Sequence, residues 1–418
     1  MLPEVAVGRH CCAESIHVDN YRPLVGDALI DEIHALSRDL RGLRVCHVNA
    51  TAGGGGVAEL LARQIPIYRA LGLRADWRLI YGDAEFFAVT KGFHNALQGA
   101  ALELTPEVAA EYLDHNRRGA AALGGDYDLY MVHDPQPAAL RHFAQPDGGK
   151  WIWRCHIDSS EPDPGVWEFL RPFVEAHDAA VFTMESFRPA DLQMARVVSI
   201  PPAIDPFATK NMELPRDLCR RVMADAGVNL REPVLLQVSR FDPWKDPLGV
   251  IRAYQLVKQE RPGVQLVLVG AMAGDDPEAW SILEAINAEV ERDRDLYLVS
   301  NLTGVGNMEV NAFQRGADVV LQKSLREGFG LVVSEALWKE RPVVAGGVGG
   351  IPMQFPAGYE ANLVDGVERC AERTLSLLED PEDAAAFGRA GKEKVRGAFL
   401  LPRLVRDELR LWRDVLAS

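Results

Sequence analysis

Two cations and two carboxylates stand at spacings that could do chemistry on an anion. Arg240 and Lys245 are five positions apart in "SRFDPWKDP", and Glu327 and Glu335 are eight apart in "REGFGLVVSE". Two cations in one loop of an acidic protein are what a departing phosphate or diphosphate needs. Eight residues is 2.2 turns of helix, so the acids would stand about 12 Å apart along the axis if both were helical. That is too far for the paired carboxylates of a retaining glycosidase, which stand about 5 Å apart. The spacing suits a grip on two hydroxylated parts of one extended ligand. Gly328 and Gly330 flank the helix start and free the amides of Phe329, Leu331 and Val332 for oxygen ligands. An extended ligand with hydroxyls at both ends and a diphosphate between them is a nucleotide-sugar.

The elements that must carry these residues follow from hydrophobic patterning. Short apolar runs at 43–49, 76–81, 128–134, 150–156, 179–183 and 196–200 alternate with helical patterns. "IPPAIDPF" (200–207) interrupts with three prolines, and the rhythm resumes with runs at 233–240, 264–270, 296–300, 318–322 and 342–346. This strand-then-helix alternation predicts an α/β protein with two doubly wound parallel sheets. The expected division is an acceptor domain over 1–205, a donor domain over 206–390, and a C-terminal helix over 391–418 that packs back on the first domain. Ligands of open parallel sheets sit beyond the carboxyl ends of the strands, so the expected site lies in a cleft between the two domains.

In the first half, Gly53-Gly54-Gly55-Gly56 follows the first strand and runs into a helix, where Gly55 and Gly56 would let backbone approach a phosphate. The run is not G-x-G-x-x-G. In "FAVTKGFHNALQG", Thr90, His94 and Gln98 share one helix face, with Lys91 and Asn95 beside them and Glu85 and Phe86 leading in. Polar groups beside an aromatic platform make a plausible sugar pocket.

Composition narrows the rest. The 418 residues carry 60 acids against 45 bases, a net charge of −15, which argues against nucleic acid as a partner. No apolar stretch approaches the roughly 20 residues that span a bilayer, and the first twelve residues lack a signal-peptide pattern, so a cytoplasmic address without membrane contact is expected. Cys11, Cys12, Cys46, Cys155, Cys219 and Cys370 are scattered, with no C-x-x-C pair, and read as buried thiols rather than metal ligands. "DYD" (126–128) precedes a strand, away from the site end, and is not read as a metal pair. There is no G-x-S-x-G and no H-E-x-x-H, and no reactive cysteine with a histidine as its base is read.

"SRFDPWKDP" followed by the E-x7-E of "EGFGLVVSE" resembles the retaining glycosyltransferases of family 4, which have the GT-B fold. "HVNATAGGGGVAELL", "GDAEFFAVTKGFHNALQG", "VHDPQP" and "WRCHIDSS" resemble the trehalose glycosyltransferring synthases and the related trehalose phosphorylases. The resemblance covers about residues 40–350. It implies a glucosyl transfer from a nucleoside-diphosphate-glucose (ADP-, UDP- or GDP-glucose) to free glucose, giving α,α-trehalose with retention. It further implies that Arg240 and Lys245 neutralise the diphosphate, Glu335 holds the ribose, and Glu327 grips the donor glucose. Asn301, Leu302 and Thr303 would meet the base, His156 would stand beside the reacting carbon, and Asp134 would face the acceptor. No obligatory cofactor is implied; Mg²⁺ would stimulate only through the donor diphosphate, and a homodimer is expected. The rival expectations are a trehalose phosphorylase, a family 4 enzyme with another acceptor such as a lipid or glycerate, and a noncatalytic nucleotide-sugar sensor.

Overall fold

A computed structural model describes residues 1–7, 17–53, 55–144, 148–271 and 277–418. Gly54, Cys11 and Cys12 lie outside the described residues. The chain divides into two compact units, Met1–Pro202 with Leu401–Ser418, and Ala203–Leu400.

The first unit holds six parallel strands: β1 Arg44–Asn49, β2 Arg74–Leu79, β3 Leu129–His133, β4 Lys150–Arg154, β5 Ala179–Phe182 and β6 Val197–Ser199. They are ordered β2-β1-β3-β4-β5-β6. The second holds β7 Val234–Arg240, β8 Gln265–Ala271, β9 Leu296–Ser300, β10 Val319–Gln322, β11 Val343–Gly346 and β12 Leu363–Val364. Their order is β12-β11-β10-β7-β8-β9. In each sheet the chain leaves its first strand on one side and returns on the other. The reversals fall between β1 and β3 and between β7 and β10, the places where open α/β sheets leave a crevice at their carboxyl ends.

Continuous apolar runs explain why these strands lie inside. Leu129 through His133 in β3 and Val319 through Gln322 in β10 are buried on both faces, as parallel sheets covered by helices require. Polar residues at the edges fix the starts. Asp128 receives Arg44 N at 2.8 Å and the Arg44 guanidinium at 2.7 Å, tying β3 to β1. This is where the second aspartate of "DYD" is engaged. Asp318 receives Val234 N at 2.8 Å and does the same for β10 and β7.

All the strand runs expected from patterning form, and β12, two residues long, is added. β2 begins at Arg74, two residues before its expected start, because Arg74 N bonds Leu43 O at 2.8 Å and extends the ladder. The C-terminal segment is two helices, Pro381–Ala398 and Leu401–Leu416, broken at Phe399-Leu400. Only the second helix belongs to the first unit. It is anchored there by Arg403, which donates to Pro201 O and Pro202 O at 2.8 Å each. Among the described residues, no helix is long and apolar enough to cross a membrane.

Candidate active site

In the second unit, β7 ends at Arg240 and the chain enters a short 3₁₀ turn, Pro243–Lys245, opened by Asp242 accepting from Trp244 N at 2.8 Å. Asp246 then takes a left-handed conformation, φ 46°, and caps the helix Pro247–Glu260 by accepting from Gly249 N at 3.0 Å. A β-carbon at Gly249 would lie 2.0 Å from that carboxylate, so glycine is needed for the cap to close. Lys323, buried at the end of β10, forms an ion pair with Asp246 from the other side. Leu325 N donates to Trp244 O at 2.8 Å, and the Arg326 guanidinium lies 4.9 Å above the Trp244 ring. The loops after β7 and β10 are thereby laced together across the switch point.

That lacing brings Lys245 Nζ to 2.7 Å from Glu327 Oε2, with Ser324 Oγ donating to the same oxygen at 3.3 Å. Neither member is fully sealed: their side chains are 18% and 11% exposed. Arg240 stands apart, 53% exposed, and among the described residues its one ion pair is a long 3.4 Å contact to Asp242. A cavity of about 620 Å³ opens beside this loop, lined by Lys323, Ser324, Gly347, Val348, Asp365 and Arg369 among others.

The glycines after β11 shape the turn that holds Glu327. A β-carbon at Gly346 would stand 2.2 Å from Ser324 O, one at Gly349 1.8 Å from Glu327 O, and one at Gly350 2.9 Å from Gly328 O. Gly349 also sits at φ +57°, and Gly350 N donates to Gly328 O at 2.8 Å. "GGVGG" is therefore a backbone bed on which the "EGFG" turn lies in direct contact. Gln354 completes it by donating to Phe329 O at 2.5 Å and to Gly350 O at 3.2 Å.

The helix begins at Leu331 after Gly330, φ +80°, with no side-chain cap, which leaves the amides of its first turn free of side-chain oxygens. Glu327 is outside the helix, so the 2.2-turn spacing does not apply to the pair. Glu335 is 1% exposed, and its carboxylate meets Lys210 Nζ at 3.2 Å and Gln314 Nε2 at 3.4 Å. One turn on, Lys339 is buried against Asn211 Oδ1 and Glu335 O at 3.0 and 3.1 Å, and burial pulls its pKa down to about 7. Lys339 stands four residues after Glu335, a spacing that could have flagged it, whereas Lys210, far away in sequence, carries no such signal. Asn301–Thr303 is a 3₁₀ turn closed by a Ser300–Thr303 capping box, with Leu302 57% exposed.

In the first unit, Gly55 caps the helix Gly56–Ala70 with extended backbone and no side-chain bond. Among the described residues, a β-carbon at Gly55 would meet nothing within 4 Å. At the end of β3, Asp134 is left-handed, φ 64°, and its Oδ1 accepts from His156 N at 2.8 Å. Burial raises its pKa to about 7 despite that bond and the nearby Arg154. His156 Nε2 lies 3.0 Å from His133 Nδ1, and burial holds its imidazole neutral, with Arg154 acting in the same direction.

The helix that carries the expected acceptor pocket spans Ala84–Leu97, capped by Asp83, which accepts from Phe86 N at 3.0 Å. Two expectations on it are corrected. Phe86 is fully buried and stacked on His115 with centroids 4.6 Å apart, so it is core packing and not an open platform. Thr90 is also buried, its hydroxyl donating to Phe86 O at 3.0 Å, the usual fate of a threonine inside a helix. Gln98, just past the helix, donates back to His94 O at 3.3 Å. Glu85 and Lys91 are exposed, and His94 and Asn95 are half-buried.

Residues 47–189 match the family described as "Trehalose synthase, N-terminal domain", and residues 220–394 match "Glycosyl transferases group 1". The chain is 52% identical to a trehalose synthase of Rubrobacter xylanophilus, over the full length of both. It is 45% identical to one from Thermococcus litoralis, over 97% of this chain and 98% of that one. A trehalose phosphorylase of Grifola frondosa is 28% identical over 87% of this chain and 56% of its own length. Among solved structures, an α,α-trehalose 6-phosphate synthase from Burkholderia multivorans superposes with a TM-score of 0.71 at 18% identity, covering 90% of this chain and 99% of that one. With matches of this extent in both halves, the chain belongs to the trehalose synthase family and is a glycosyltransferase of the GT-B fold engaged in trehalose-related glycosyl transfer.

Proposed function

We infer that this protein moves glucose from a nucleoside-diphosphate-glucose to free glucose, forming α,α-trehalose with retention of configuration. The observation that carries this reading is the Lys245–Glu327 pair at the β7/β10 switch point, 2.7 Å apart and still open to solvent. A cation held by a carboxylate in a built loop suits a site where a sugar hydroxyl meets Glu327 while a phosphate draws on Lys245. Arg240, exposed and weakly tied, is free to swing onto the same diphosphate.

The remaining roles are those that the family resemblance implies. The uncapped amides from Leu331 onward take phosphate or sugar oxygens, with the turn at Gly328, Phe329 and Gly330 supporting them. Glu335 serves the ribose, and the Asn301–Thr303 turn serves the base through its backbone. In the first unit, Gly55 and Gly56 receive phosphate oxygens. His156 and Asp134 face the reacting sugar and the acceptor, and Glu85, Lys91, His94, Asn95 and Gln98 contribute to the acceptor. The nucleoside diphosphate departs with its charge neutralised, the incoming hydroxyl attacks from the same face, and the leaving phosphate oxygen takes its proton. No side chain of this chain is assigned to a metal; Mg²⁺ would act through the donor diphosphate, so EDTA should slow but not abolish turnover.

The test is incubation with ADP-, UDP- or GDP-glucose, each with and without glucose, following nucleoside diphosphate release and product linkage by NMR. Glucose-dependent release with an α,α-1,1-linked product is expected. Silence with every donor, together with phosphate-dependent cleavage of trehalose, would overturn the donor assignment in favour of a phosphorylase.

A further inference from the structure

His156 is the end of a row. His47 near the end of β1, His133 at the end of β3 and His156 just after β4 lie on three strands that are neighbours in the sheet. His47 Nδ1 is 3.1 Å from His133 Nε2, and His133 Nδ1 is 3.0 Å from His156 Nε2. The successive ring planes are inclined by only 23° and 16°, so each nitrogen lone pair or N–H points along the row. His47 and His133 are 0% and 2% exposed, whereas His156 is partly open. Among the described residues, His156 Nδ1 finds no partner.

A row of three neutral imidazoles whose two contacts are both hydrogen bonds has only two proton arrangements, because each ring has one N–H and one bare nitrogen. If the N–H groups point from His156 towards His47, the row ends in a buried His47 Nε2–H with no acceptor. If they point from His47 towards His156, it ends in a bare His47 Nε2. That atom is buried and unpartnered in either case. Its surroundings favour the bare form. The unpartnered Nε1–H of Trp412 belongs to a ring whose centroid is 5.8 Å from that of His47, edge-on, and Arg154, although paired with Glu408, turns its positive charge to His47 and His133. Donors and cations beside an orphan lone pair stabilise it, and beside an orphan N–H they repel it. Orphaned buried N–H groups are also the rarer of the two. Burial keeps the rings uncharged, with His47 drawn down to about 3.

We propose that His47 and His133 are positioning residues that lock His156 as its Nδ1–H tautomer, so that this ring presents a single N–H donor and no lone pair to the ligand. His156 then hydrogen-bonds an oxygen, a hydroxyl of the sugar or an oxygen of the leaving phosphate, and cannot serve as a general base. This refines the role of His156 given above and rests on it for the kinetics only. The tautomer itself is a property of the resting protein.

Long-range ¹H–¹⁵N spectra of histidine-labelled protein read the tautomer directly, with each ring assigned from single substitutions. The expected pattern is protonated Nδ1 and bare Nε2 at all three positions. A His156 protonated at Nε2 in the wild-type protein would overturn the proposal, whatever the variants do. His133→Leu should release His156 into a mixture of tautomers and lower kcat about tenfold, with the donor KM within about twofold. His133→Asn places an amide N–H where His133 Nδ1 stands, and should restore both the His156 tautomer and most of the turnover. A His133→Asn that recovers turnover while His156 stays mixed would also sink the positioning role. If no form of the protein transfers glucose, the assignment of His156 to the sugar site fails, and the resonances still decide the tautomer.

Discussion

The two units are both six-stranded parallel sheets with one switch point, reached after one crossover in the first and after two in the second, and they treat charge in opposite ways. At the β1/β3 switch point, burial strips charge from the chemistry: three imidazoles are held neutral and the Asp134 carboxyl is pushed up to about 7. At the β7/β10 switch point, Lys245 with Glu327 and Lys323 with Asp246 stand as ion pairs laced by the loops around them. The proposed transfer, in which a diphosphate leaves a neutral sugar, asks for this division. Electrostatic work belongs where the anion leaves, and geometric work where the uncharged sugars must be aligned. The difference teaches that a shared fold fixes where chemistry sits without fixing its kind.

The comparison is broken most severely at the charged end. Lys245→Ala or Glu327→Ala should lower kcat by about 10²–10³-fold while circular dichroism and melting stay close to wild type, since both side chains reach solvent. Either variant retaining most of its turnover in the donor assay would remove the pair from the mechanism. Next comes the bed beneath it. Gly349→Ala must push the Glu327 carbonyl aside and hold a positive φ, so about 1–3 kcal/mol of stability should go, with turnover falling more than stability predicts. Unfolding curves set against kinetics would check this, and an unaltered protein would show that the "EGFG" turn does not depend on that contact.

At the uncharged end the handle is pH. His47 is drawn from 6.5 to about 3 and His177 to about 4, so their contributions to stability are present above 6.5 and drain away as pH falls through that window. His133 and His156 move in the same direction. Asp134, raised to about 7, works oppositely: its contribution is complete below 3.8 and is lost as pH rises through 7. Glu408 is raised as well, so the acids offset part of the histidine effect. The histidines outnumber them, and the first unit should weaken from pH 6 to 4.5, each neutral histidine contributing up to about 1.4 kcal/mol per pH unit. Hydrogen exchange read peptide by peptide should show this loosening in β1, β3 and β4 well before β7 and β10. Equal loosening of both sheets would erase the contrast. The smallest effect is expected from Arg240→Lys, which keeps the charge and loses the fork, raising the donor KM a few-fold with stability unchanged. A donor KM identical to wild type would place Arg240 outside the donor site.

Much of this is legible in the sequence, for physical reasons. Parallel strands covered on both faces must be apolar throughout, so β1, β3, β7, β8 and β10 announce themselves; β12 does not, because two residues make no pattern. Glycines before and inside "EGFGLVVSE" point to a tight turn, but the purpose of "GGVGG" emerges only when β11 lies beside β10 and backbone touches backbone. Phe86 and Thr90 mislead because a helix with one polar face shows its periodicity without saying how much of that face the neighbouring helix covers. The histidine row left a trace, since "CHVN", "VHDP" and "RCHI" each put histidine near a strand's carboxyl end. Sheet order, which sequence does not print, is what makes those three residues neighbours.

The helix Leu401–Leu416 has a consequence for how the protein is made. It brings Glu408 into the interior of the first unit, where its buried carboxylate pairs with the Arg154 guanidinium and accepts from the Tyr68 hydroxyl, and from Gln64 Nε2 at 2.9 Å. Trp412 from the same helix packs on His47 and Tyr68. Yet this helix leaves the ribosome after the whole of the second unit. The unit begun first is finished last, and until then Arg154 lacks the counter-charge that lets it be buried in the finished fold. The nascent first unit should therefore wait, loosely closed and a natural client for chaperones, while the second unit folds ahead of it.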